Sequence, residues 1–149
     1  MLVESQVTIN GSKEAVWAVM TDIENAAEIL SGVEKIEVLE KPARSLVGMR
    51  WRETRMYFGS LATVEKEITD AVENEYFKTR AEDSGFVFLS SMTISEVSNS
   101  VILTTSHDTQ PQGFVAKLKS APMVFFKGVI RKALKQDLSD IKTTVERGE

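Results

Sequence analysis

The sequence predicts an α+β architecture, with seven β-strands segregated from one long C-terminal helix and two short helices after the first strand. Three observations predict it. Segments that alternate apolar and polar residues follow one another, with short turns between most of them. The alternation is interrupted once, early, by two short stretches with an apolar side. The last third of the chain changes to steps of three and four.

Leu2 to Ile9 alternates, with Val3, Val7 and Ile9 on one face, and reads as the first strand. Asn10-Gly11-Ser12 turns the chain, and Ser12 offers a helix cap. Ala15, Val16, Val19 and Met20, with Trp17 beside them, give the first short helix its apolar side. Thr21-Asp22 interrupts it. Asp22 is expected to cap a second short helix carrying Ile23, Ala26, Ala27, Ile29 and Leu30, which Gly32 ends.

Six strands follow. Val33 to Leu39 is closed by Lys41-Pro42, and Val47 to Phe58 by Gly59-Ser60. Leu61 to Thr69, Glu75 to Ala81, Phe86 to Val97 and Val101 to Thr109 complete the series. Asp83-Ser84-Gly85 and Ser98-Asn99-Ser100 are hairpin turns, and such short connections imply an antiparallel meander. From Gly113 onward, Met123, Phe126, Ile130, Leu134, Leu138, Ile141 and Val145 form one stripe of a long amphipathic helix. Pro122 is expected to kink or divide that helix.

The chain has 149 residues, 42% of them hydrophobic and 27% charged, which fits one soluble globular domain over residues 1–149. With 18 basic and 22 acidic side chains the formal net charge is -4, which argues against a nucleic-acid partner. The absence of cysteine excludes disulfides, thiolate nucleophiles, Cys-ligated zinc and iron–sulfur clusters. The single histidine, His107, excludes multi-His metal sites. Neither a metal nor another cofactor is expected. The N-terminus lacks a basic segment followed by an apolar stretch, and no apolar run reaches membrane-spanning length. A cytoplasmic protein without stable membrane insertion is the expectation. Asn10-Gly11-Ser12 also matches a glycosylation acceptor but is better read as a helix-entry turn. No P-loop, dinucleotide fingerprint or calcium loop is present.

The element order resembles the helix-grip fold of the START-like (SRPBCC) superfamily. Local sequence agrees. Ser12-Lys13-Glu14-Ala15-Val16-Trp17 followed by Asp22-Ile23-Glu24-Asn25 resembles its first-helix signature. Val47-Gly48-Met49-Arg50-Trp51 resembles the start of its third strand, and Asp137-Leu138-Ser139-Asp140-Ile141-Lys142 the end of its last helix. The similarity is closest to the polyketide cyclase/dehydrase and lipid-transport branch and covers essentially the whole chain. The resemblance implies a curved antiparallel sheet wrapped around the C-terminal helix, with a cavity between them. It further implies a small hydrophobic or amphipathic ligand: a lipid, polyketide or quinone-like molecule.

The polar candidates lie on Met49 to Arg55. Residues two apart on a strand share a face, so Trp51, Glu53 and Arg55 point the same way, and Arg50, Arg52 and Thr54 the other. If the first face is inward, Trp51 stacks on an apolar ligand and Arg55 holds an oxygen. Glu53 then pairs with Arg55 or takes a proton. The alternative is an ordinary ion pair on an outer face. His107 and Asp108 point to opposite faces and so form no ready-made dyad. An inward His107 is a candidate proton donor at a cavity mouth, with a structural histidine as the alternative. Phe86, Phe88, Ser90, Met92 and Ile94 share a face expected to be inward, and Phe88 and Met92 are candidate ligand contacts. Leu118, Met123, Phe126 and Ile130 are the candidates from the C-terminal segment. Glu65, Lys66 and Glu67 read as a solvated strand face.

Three functions are compatible with these residues. The first is binding or transport of the small ligand. The second is a cyclase/dehydrase-type enzyme using Glu53, Arg55 and His107. The third is a protein-interaction module of the same fold, with Phe125 and Val129 as the contact, a surface that leaves a homodimer open.

Overall fold

The structure, a computed structural model, describes residues 1–57, 59–113 and 126–148. Strand β1 (Leu2–Ile9) is followed by helix α1 (Lys13–Met20), a 3-10 turn (Ile23–Asn25) and helix α2 (Ala26–Ile29). Six strands come next: β2 (Val33–Glu40), β3 (Arg50–Tyr57), β4 (Ser60–Val72), β5 (Tyr76–Asp83), β6 (Phe86–Val97) and β7 (Ser100–Pro111). The last described helix is α3 (Lys127–Arg147). The strands form one antiparallel sheet in the order β1-β7-β6-β5-β4-β3-β2. It is a meander from β2 to β7, with β1 added beside the last strand. This is the helix-grip arrangement, a curved seven-stranded sheet with a long helix across it.

Local chemistry sets most element ends. The Ser12 hydroxyl accepts a hydrogen bond from the Ala15 amide at 3.1 Å and starts α1. Asp22 behaves differently from expectation. Its carboxylate accepts from the Asn25 side chain at 3.0 and 3.1 Å rather than from a backbone amide, and the chain continues as a 3-10 turn running into one turn of α-helix. At the β5–β6 turn, Ser84 and Gly85 have φ of 51° and 83°. That left-handed pair matches the twist of a tight hairpin.

Four strand ends depart from the sequence reading by two residues or more: the start of β3, and the ends of β4, of β5 (Asp83 and not Ala81) and of β7. β3 begins at Arg50 and not Val47, because Gly48 sits at φ 95° and breaks the extended backbone. β4 and β7 run on to Val72 and Pro111, where Tyr76 and Phe86 pair with them. The expected Pro122 break, and Leu118, Met123 and Phe125, lie outside the described residues.

Helix α3 packs its Leu138, Ile141 and Val145 stripe on the inner face of the sheet, against Ile9, Leu103 and Val101 in a core that also takes in Val16 and Met20. Polar ties fix its C-terminal half. The Asn10 amide donates to Glu146 at 3.3 Å, Lys142 Nζ donates to the Thr8 carbonyl at 2.7 Å, and the Ser31 amide and hydroxyl both reach Asp140 at 2.8 Å. The registers define two ends of the molecule. At one lie Ile9, Val72, Val97 and the C-terminus of α3. At the other lie the β3–β4 and β5–β6 hairpin tips and the N-terminus of α3, about 30 Å away along the helix.

Leu138 is 1% exposed. Leu138→Ala should lower unfolding free energy by roughly 2–5 kcal/mol, while exposed Ser139→Ala should stay within about 0.5 kcal/mol. Urea denaturation of the two variants measures this. Equal, small losses would contradict the packing described.

Candidate functional site

Strand parity turns Trp51, Glu53 and Arg55 toward the helix, and the outward set Arg50 and Arg52 pairs with Glu40, Glu65 and Glu37 on the far face. Glu53, only 7% exposed, is the hub of the inner face. Its Oε2 accepts from Arg55 Nε and from Lys66 Nζ, each at 2.8 Å, and its Oε1 accepts from the Trp51 indole at 3.4 Å. Arg55 in turn forks onto Asp137 of α3, with Nη1 to Oδ1 at 3.1 Å and Nη2 to Oδ2 at 2.8 Å. Gly32 makes room for the fork, since a Cβ there would stand 3.1 Å from Arg55 Nη1. The result is a row of alternating sign, Asp137–Arg55–Glu53–Lys66, that runs from helix to sheet.

Burial alone would push the Glu53 carboxyl up, but Lys66 and Arg55 outweigh it and hold the pKa down at about 2. For Arg55, burial works against the cation, and Glu53 and Asp137 reverse the effect and raise its pKa. Glu53 is therefore a locked anion at neutral pH. It neutralises its neighbours and has no capacity to collect a proton there.

His107 stands on β7 opposite Ser90 of β6. Its Nδ1 is 3.0 Å from the Ser90 hydroxyl, and its ring stacks on Phe88 with centroids 5.8 Å apart. Burial lowers its pKa, and the nearby Lys66 and Arg55 charges lower it further, to about 4. The imidazole is thus neutral at pH 7. Its Nε2 has no hydrogen-bond partner among the described residues. Asp108 points the other way, to the N-terminal ammonium at 3.4 Å.

Between the inner sheet face, the short helices and α3 lies a cavity of about 180 Å³. Met20, Ile23, Leu30, Phe77, Met92, Ile130 and Leu134 supply apolar wall, while Glu53, Arg55, Lys66, Ser90 and His107 make one polar side. Of the residues singled out from sequence, Trp51, Glu53, Arg55, Met92, Ile130 and His107 line this space. Phe88 backs His107 and is not part of the wall, and Phe126 is exposed at the start of α3. Leu118 and Met123 lie outside the described residues.

Lys66 is a correction. It does not belong to a solvated face with Glu65 and Glu67; it turns inward to Glu53. The signal was present in parity, because Lys66 shares a face with Ile68, which is fully buried. Asp137 was likewise readable only as a packing residue. It lies three residues after Leu134 and four before Ile141, on the inward side of α3. Among the described residues no cluster of His, Asp or Glu is arranged to hold a metal ion, and no helix is long and apolar enough to cross a membrane.

Comparisons with known proteins add to this geometry. A family model described as polyketide cyclase/dehydrase and lipid transport matches residues 2–146. No protein of curated function matches significantly. Among solved structures, the chain is similar to the Zhui aromatase/cyclase from Streptomyces sp. R1128, with a TM-score of 0.77 at 20% identity over 99% of this chain and 94% of that one. It is similar to a START superfamily protein from Mycobacterium smegmatis, with a TM-score of 0.79 at 17% identity over 99% of both chains. A protein from Thermus thermophilus gives a TM-score of 0.81 at 14% identity over 100% of this chain and 99% of that one. These identities speak to the fold.

Since His107 is the chain's single histidine, its titration is directly readable by NMR. Its ring resonances should hold their neutral positions through pH 6 and titrate near pH 4. A pKa lowered on folding means that stability is full above the ordinary imidazole pKa of about 6.5 and is lost as pH falls through the folded value. Lys66→Met should move the midpoint upward. A midpoint near 6.5 in the unaltered protein would contradict the buried, cation-flanked setting.

Proposed function

The chain belongs to the polyketide cyclase/dehydrase and lipid-transport family, and we propose that it binds one small hydrophobic or amphipathic molecule in the cavity under α3. The observation that carries this reading is the two-sided wall: aliphatic and aromatic side chains around most of the space, and Lys66, His107 and Ser90 together on one side. Such a wall suits a lipid, polyketide or quinone-like molecule with one oxygen-bearing end. The apolar body packs on Phe77, Met92 and Leu134. The oxygen faces Lys66 Nζ, which donates one hydrogen to Glu53 and has two left, and the open Nε2 of His107.

A second reading, acid–base chemistry of the cyclase/dehydrase type, is favoured by one specific feature. His107 is neutral, backed at Nδ1 by a hydroxyl, and open at Nε2. An imidazole in that state takes a proton from carbon beside a carbonyl, while Lys66 faces the enolate oxygen that develops. Glu53 serves in this reading as a fixed counter-ion and Arg55 as the link to Asp137; neither exchanges protons.

Native mass spectrometry and calorimetry with 1,4-naphthoquinone, 1-naphthol and decanoate test the binding reading. At least one probe should bind one-to-one with Kd of about 10 μM or tighter. Ala133 lines the cavity from α3, so Ala133→Phe should weaken that binding at least about tenfold with the circular dichroism spectrum unchanged. Failure of all three probes, or indifference to Ala133→Phe, would overturn the reading. His107→Gln separates the two readings, since it should cost binding no more than one hydrogen bond, about tenfold or less, and abolish any conversion of the bound molecule.

A further inference from the structure

We infer that the end of the molecule bearing the β3–β4 hairpin tip and the N-terminal turns of α3 docks on an anionic lipid bilayer surface, bringing that end of the cavity to the membrane. Two independent features meet there. The first is apolar. Met56 and Leu61 face each other across the hairpin on its outer side, Tyr57 follows on the inner side, and all three are exposed, Leu61 to 62%. Val129 on α3 is 41% exposed. All four are large side chains that stand exposed at this end of the molecule.

The second feature is charge. Residues 126–136 contain Lys127, Arg131, Lys132 and Lys135 and no acid, in a chain whose net charge is -4. None of these four cations forms an ion pair among the described residues, whereas Arg50, Arg52, Arg55, Lys66 and Arg80 all do. Of the described carboxylates toward this end, Glu82 pairs with Arg80 and Asp108 with the N-terminal ammonium, while Asp83 at the β5–β6 tip accepts only from the Ser84 hydroxyl, a single acid against four cations. The cations rise on successive turns of α3, and all stand within about 12 Å of its first residue along the axis, close to one Debye length.

A bilayer with acidic headgroups uses both features at once, because phosphates take the cations while Leu61, Met56, Tyr57 and Val129 enter the interfacial layer. A nucleic-acid backbone would use the cations alone and leave the apolar tip in water. Tyr57 and Ile130 belong to both the docking end and the cavity wall, so the contact places the cavity beside the lipid. The inference concerns peripheral docking and does not depend on what the cavity holds.

Co-sedimentation of the full chain with phosphatidylcholine vesicles containing about one-third phosphatidylglycerol tests it, with pure phosphatidylcholine vesicles beside them. Binding is expected to the first at low salt, to fall steeply at about 0.5 M salt, and to be weak to the second. Arg131→Glu with Lys132→Glu should reduce binding at least about tenfold, and Leu61→Ser severalfold. Arg44→Glu with Lys78→Glu makes the same change in net charge elsewhere and should leave binding within about twofold. All substituted residues are exposed, and circular dichroism checks that each variant is folded. Four outcomes would overturn the inference. They are no preference for the anionic vesicles, equal loss in the two charge-reversed pairs, binding of a DNA duplex without vesicle binding, or a concentration-dependent dimer abolished by the Arg131 and Lys132 changes with no vesicle binding.

Discussion

The bidentate bridge between Arg55 and Asp137 is the contact on which the rest of the interior depends. Among the described residues it is the one ion pair between α3 and a strand of the sheet. Both partners are mostly out of water, with side chains 12% and 15% exposed. Ions removed from water at that depth cost several kcal/mol each unless every lone pair and proton finds a partner. The row meets that condition by extension. Asp137 satisfies Arg55, Arg55 and Lys66 satisfy Glu53, and the Trp51 indole takes the remaining carboxylate oxygen. Removing any one member leaves an uncompensated charge on a low-dielectric wall, so the four act as a unit. A hydrophobic replacement of the whole set would close the interior with packed side chains. The ionic version keeps polar groups on the cavity's edge.

The same row sets the chemistry of its neighbour. Burial, and then the charges of Lys66 and Arg55, keep His107 neutral, while the Glu53 carboxylate is engaged by those same cations. Two titratable groups on one wall are thereby driven to opposite characters: a permanent anion without proton capacity and a neutral base with an open nitrogen. The divergence arises from position alone. Glu53 has both cations in hydrogen-bond contact, and His107 feels them only at a distance while losing its water. A ligand entering this space meets a polar side with a donor at Lys66, an amphoteric imidazole and the Ser90 hydroxyl, and apolar wall around most of the rest.

Much of the fold was readable because a sheet with one wet face writes its pleat into the sequence. β1, β5 and β7 show it in their alternating burial. The misread ends have local causes. Gly48 stops β3 through its own backbone, whereas β4 and β7 are prolonged by Tyr76 and Phe86, which the alternation of one strand cannot reveal. In the site, parity was enough to place Trp51, Glu53 and Arg55 on one face. It did not say which face, because charged residues on strands usually meet water. The answer came from partners 13 and 82 residues away, Lys66 for Glu53 and Asp137 for Arg55. Phe126 shows the converse error. The stripe extended back from Ile130 in even steps, but α3 begins at Lys127, and the residue before it faces out.

A double-mutant cycle on unfolding free energy, built from Arg55→Met, Asp137→Leu and the pair combined, tests the central claim most directly. If the bridge anchors the interior, each single change strands a buried charge and the combined change relieves part of that cost. The coupling energy should then reach about 2–3 kcal/mol, the upper range for contacting groups. Additive losses, with coupling below about 0.5 kcal/mol, would show that the helix is held by its apolar stripe alone and that the charged row is incidental to the structure.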